Sequence, residues 1–137
     1  MIHHFELSDL EFEKHFADHK IDPSIFNHEA HLRLAWIHID NYGIETAVAN
    51  ICRQLKSFVE FLGVHEKYNE TLTIAAIKAV YHFKLKSKTN NFQDFIIENP
   101  RLKNNFKDLI NQHYKVDVFS SPVAKQQFLV PDLLPFD

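Results

Sequence analysis

The chain holds only two glycines in 137 residues, and this constrains its fold more than anything else in the sequence. Folds rich in β-turns need glycine at many corners, so a chain this poor in it points to helices joined by short links. Gly43 and Gly63 each end a long stretch of helical spacing, where glycine suits the left-handed position after a helix. Between them Val48, Ile51, Cys52, Leu55, Phe58, Val59 and Leu62 form one apolar face. The expectation is an all-α, single-domain bundle of about five or six helices over residues 1–137, ending in an irregular tail.

Punctuation residues divide the rest. Ser8 and Glu11 form a possible capping box for a first helix reaching His19, with Phe12 and Phe16 inward. His15 and His19, four apart, share a face and read as solvated or as a surface metal pair. Asp22-Pro23 breaks this helix, and Asn27 caps a second that ends near Tyr42. The third spans about Glu45 to Leu62, and Asn69 caps a fourth reaching about Leu85. Short links make consecutive helices antiparallel, so the second and fourth should be parallel. Lys84 to Thr89 is a basic connection, and a short helix follows through Phe92, Phe95 and Ile96. Asn99-Pro100 starts a sixth helix carrying Leu102, Phe106, Leu109 and Ile110. Ser120-Ser121-Pro122 could open one more turn. The tail, 128–137, is apolar and broken by Pro131 and Pro135, and is expected to lie extended over the bundle.

Several function classes are disfavoured. The net charge is −3 with neutral histidines and no basic block occurs, so nucleic acid is not an expected partner. The single cysteine, Cys52, excludes an internal disulfide and a multi-cysteine zinc site. No apolar leader and no membrane-length stretch occur, which makes a cytoplasmic location the default. There is no Gly-x-Ser-x-Gly elbow, no phosphate loop, no Glu-x-x-His and no metalloprotease His pair.

The chemistry-bearing residues lie at two helix starts. On a helical projection His28, His31 and His38 share the apolar side of the second helix, while Glu29, Arg33 and Asp40 fall about 100–140° away, toward solvent. His28 and His31, three apart, can reach one metal ion. His38 lies roughly 10 Å further along the axis, too far to join them. It reads as a core histidine or a deeper member of one channel. Glu70 falls on the apolar side of the fourth helix, where a carboxylate needs a partner. Its place in the first turn also has a plain electrostatic explanation. Tyr68, Asn69, Thr71 and Thr73 add hydroxyl and amide groups near the same helix start, where an anionic ligand could use free backbone N–H groups.

Three motifs carry a resemblance. Phe26 to Trp36, Lys67 to Thr73, and Ser121-Pro122 with Pro131-Asp132-Leu133 resemble the signature of a group of small all-helical bacterial proteins. That signature reads Phe-x-His-x-x-His-Leu, then Tyr-His-Glu-Thr, then Pro-Asp-Leu. The resemblance covers Phe26 to the end and implies His28, His31, Tyr68, Glu70 and Thr71 as site residues, without implying a reaction. The chain departs at Asn69, where the signature has histidine, and an amide oxygen replaces imidazole poorly on a transition metal.

The sequence therefore suggests a small-molecule enzyme or binding protein with a His/His/Glu site. His28, His31 and Glu70 would hold a divalent metal such as zinc or iron, or His31 and Glu70 would act as an acid–base pair. Tyr68, Asn69, Thr71 and His38 would line it. The alternative is a protein-interaction module using the Phe-rich surface and apolar tail. The oligomeric state is open.

Overall fold

Residues 3–136 are described by the computed structural model of the chain. Among them the chain forms α-helices and short 3-10 turns and no strand. Three long helices make the centre: α2 (His28–Tyr42), α3 (Ile44–Phe61) and α4 (Glu70–Lys86), after α1 (Asp9–Ala17). Asn27 and Asn69 cap α2 and α4 through their side-chain oxygens, on the N–H groups of Ala30 and Leu72. The capping box at Ser8 and Glu11 is formed in both directions.

Gly43 is the whole link between α2 and α3. Its φ of 86° and ψ of 167° lie in a region open almost only to glycine, further from helical than the left-handed cap the sequence suggested. So tight a link folds α3 back on α2. The turn His65–Lys67 then returns the chain into α4, parallel to α2. The far ends of α2 and α4 are tied by Lys84, which pairs with Asp40 at 3.0 Å and sits 5.1 Å above the Trp36 ring. Their starts face each other across a cavity described below.

The later chain is more broken than expected. After α5 (Phe92–Glu98), the sixth helix divides at Asn105 into α6 (Pro100–Asn104) and α7 (Phe106–Asn111). Asn105, at φ −129° and ψ 33°, leaves helical geometry there. Proline opens a further short helix, α8 (Pro122–Gln126), which packs on α4. Eight helices thus replace the expected five or six among the described residues.

The helix α2 is buried all round, from Leu32 to Ile39. Arg33, expected to face solvent, is instead enclosed by the N-terminal segment. Its guanidinium donates to the carbonyls of His4 at 2.7 Å and Leu7 at 2.8 Å, and twice to Asp9. It also lies 4.8 Å from the Phe12 ring centre and 5.3 Å from that of Phe5. His4 then donates to Glu29, whose other oxygen pairs with Lys103. The polar side of α2 is a buried network because another segment covers it.

The tail is held mainly through its backbone. The Thr71 hydroxyl donates to the Gln127 carbonyl at 2.7 Å and accepts from the Leu129 N–H at 3.0 Å. The Tyr114 hydroxyl donates to the Leu129 carbonyl, and His113 donates to that of Leu134. Phe136 is buried and stacks on His113 at 4.2 Å, whereas Val130, Leu133 and Leu134 stay exposed. The tail thus covers less apolar surface than its composition suggested. Among the described residues no helix is long and apolar enough to cross a membrane.

Candidate functional site

A cavity of about 340 Å³ opens between the starts of α2 and α4 and the middle of α3. Its polar lining consists of Asn27, His28, His31, Lys67, Asn69 and Thr73. Most of the remaining wall is apolar: Leu32 and Ala35 from α2, Ile51 and Leu55 from α3, and Leu72 and Ala76 from α4. Phe26 and Phe106 add aromatic rings to the lining. Small, mostly apolar cavities with a few converging polar groups are the usual form of a ligand site.

His28 and His31 both line the cavity, but both are exposed there instead of turned into the core as the apolar face implied; of the three histidines on α2 only His38 is buried. His28 donates its Nε2–H to the Leu102 carbonyl at 2.9 Å, and its ring lies against Phe106 at 4.6 Å. In the neutral ring this leaves Nδ1 as an unprotonated acceptor. His31 lies 4.0 Å from the Phe26 ring centre. Among the described residues, no group hydrogen-bonds either of its nitrogens. Its side chain is exposed along the cavity wall. Protein packed close on one side of the ring, with a smaller contribution from neighbouring His28, lowers its pKa. At neutral pH His31 is an uncharged imidazole able to donate or accept.

The other expected members lie elsewhere. Glu70 does not line the cavity: its carboxylate is held instead by the Tyr68 hydroxyl, from which it accepts at 2.5 Å, and by Lys56 of α3 at 3.7 Å. Among the described residues no three His, Cys, Asp or Glu side chains could share a metal ion, so the His28/His31/Glu70 triad is not assembled. Nor does Glu70 meet His31 as an acid–base partner. Tyr68 belongs with Glu70 and Cys52; burial first, then those two neighbours, pushes its pKa up and keeps the phenol protonated.

Asn69 is at the cavity but fully engaged, its oxygen capping Leu72 and its amide donating to the Val118 carbonyl at 2.8 Å. Thr71 is buried under the tail, and both roles of its hydroxyl are taken up there. His38 is completely buried outside the cavity, and neither ring nitrogen has a partner among the described residues. Burial lowers its pKa; Glu13 opposes this and Arg53 adds to it. Neither Thr71 nor His38 can touch a ligand in the cavity without rearrangement.

Thr73 is among the polar groups the sequence places at the start of α4, and it does line the cavity, whereas Lys67 is not singled out as a site residue from sequence. Asn69, Thr73 and Ala76 repeat at four and three residues, a small or polar stripe on one side of α4. Comparison with protein-family profiles, with curated proteins and with solved structures yields no match to this chain.

Proposed function

We propose that this protein binds a small organic molecule in the α2–α3–α4 cavity, with His31 and His28 contacting its polar end. The observation that carries this reading is the cavity itself, about 340 Å³, with the exposed His28 and His31 imidazoles set among mostly apolar side chains. Aliphatic and phenyl side chains around them suit an apolar ligand body. In an enzyme, neutral His31 would exchange a proton with the bound molecule, without help from Glu70. The setting favoured by the sequence is cytoplasmic, with no nucleic-acid partner.

The test is a fragment screen followed by NMR of the full chain with labelled methyl groups and imidazoles. Hits should perturb His31, Leu72 and Ala76 together, and His31→Leu should remove them. Hits scattered over other surfaces, or unaffected by His31→Leu, would contradict the reading.

One observation favours a second reading. The Leu102 carbonyl holds the donor side of His28, and metal-binding histidines commonly give their second N–H to such an acceptor. A zinc or iron(II) ion would then use His28 and His31 as its only protein ligands, with ligand atoms completing the shell. Zinc titration of the wild type and His28→Ala tests it: equal, negligible uptake by both would remove the metal.

A further inference from the structure

The N-terminal segment is fastened to α2 by a ring and a guanidinium that fit each other in one protonation state. His4 is only 1% exposed. Its Nε2–H donates to Glu29 at 2.8 Å, so in the neutral ring Nδ1 is an acceptor. That Nδ1 faces Nη1 of Arg33 at 3.3 Å. It takes the last of the guanidinium N–H groups, the others going to the His4 and Leu7 carbonyls and to Asp9.

The charges around the ring are already matched. Arg33 pairs with Asp9 of α1, and Glu29 with Lys103 of α6. On the segment itself His3 and Glu6 are exposed, and on α5 Asp94 is bonded by Asn91. A proton on Nδ1 would set two donors against each other and add a buried positive charge. The carboxylate within reach, Glu29, is shared with Lys103. Burial, with Glu29 opposing and Arg33 and His3 adding to it, accordingly lowers the pKa of His4. Beside His4, Phe5 forms part of the wall of two surface hollows, one with Glu29, Ile96 and Lys103, the other with Asp9, Arg33 and Asn91.

We infer that residues 3–7 form a strap that acid releases: protonation of His4 breaks its fit with Arg33, the strap lifts from α2, and the guanidinium is left exposed in a groove where Phe5 stood. The lifted strap binds the proton more tightly than the closed one, so closure is complete above about pH 6.5 and weakens below it. Helix α2 keeps its contacts with α3 and α4 throughout.

The experiment is hydrogen exchange of the full chain followed by NMR, corrected for the intrinsic rate at each pH. The Leu7 N–H, bonded to the His4 carbonyl at 3.1 Å, reports the strap, and amides within α3 report the core. Leu7 should be at least about tenfold less protected than the α3 amides, and low urea should hardly change its exchange, as for a local opening. Its protection should fall about tenfold between pH 7.5 and 5, in the wild type and in His38→Leu alike. In His4→Gln, which cannot take up the proton, that fall should vanish. Exchange of Leu7 only with the core, or an unchanged fall in His4→Gln, overturns the strap. The wild type alone supplies a second check: imidazole nitrogen shifts should show His4 as the neutral Nε2–H tautomer at pH 7.5, and a charged ring or an Nδ1–H tautomer overturns the proposal.

Discussion

Two side chains show how differently a buried polar group can be treated. His38 is enclosed with neither nitrogen partnered among the described residues, and leaving such a group unsatisfied costs about 1–3 kcal/mol. Replacing it by an apolar residue of similar reach should therefore stabilise the fold. We expect His38→Leu to raise the unfolding free energy by about 1 kcal/mol in urea titrations; a loss would mean the ring is held by something other than packing. Arg33 is the opposite case, with each nitrogen of its guanidinium engaged. Arg33→Met would strand the Leu7 carbonyl, take one of two donors from that of His4 and unpair Asp9, and should cost about 2–4 kcal/mol by the same measurement. Arg33→Lys, with a single donor head, should recover only part of this.

At the level of elements, the tail depends on α4 through one hydroxyl. Thr71→Val keeps the shape of the side chain and removes both bonds, to Gln127 and Leu129. It should cost about 1–3 kcal/mol and speed hydrogen exchange at the Leu129 amide ahead of amides within α2. Equal acceleration at both places would mean the tail is not separately latched. The long helices were legible because their signals are local. Asn27, Asn69, Gly43 and Gly63 mark boundaries within a residue or two of those observed. His28 and His31 were legible as a pair because one turn of one helix brings them together. What escaped depended on neighbours distant in sequence. Arg33 looked solvent-facing because nothing local shows that residues 4–12 fold over it. Glu70 looked inward because an apolar arc does not say which of two packed helices it meets. Asn105 broke the sixth helix without any proline or glycine to announce it.

Taken as a whole, the molecule should respond to acid through its histidines. Burial is the largest cause lowering the pKa of His4 and His38, both enclosed in the core. Unfolded, each would bind a proton near 6.5. The unfolded chain therefore binds more protons below that pH, and stability, complete above about 6.5, should fall as the pH drops toward 4. The carboxylates of Glu11, Asp22 and Glu29 are held below their usual range by hydrogen bonds and charged partners, and lose their contribution lower still. Urea midpoints measured from pH 7.5 to 4.5 should decline from near 6.5, more shallowly in His38→Leu. A flat profile to pH 5 would contradict this assignment.

The single-residue link at Gly43 also bears on the order in which the structure assembles. It joins two long helices with almost no loop to close, so their mutual contacts are short-range in sequence and quick to find. The bonds from Asn69 to Val118 and from Thr71 to Gln127 and Leu129 span 49, 56 and 58 residues, and closing such loops costs more entropy. The α2–α3 hairpin should therefore be formed in the rate-limiting transition state, and the tail should close after it. Thr71→Val would then leave the folding rate nearly unchanged and raise the unfolding rate, whereas Gly43→Ala, which strains the joint itself, would slow folding.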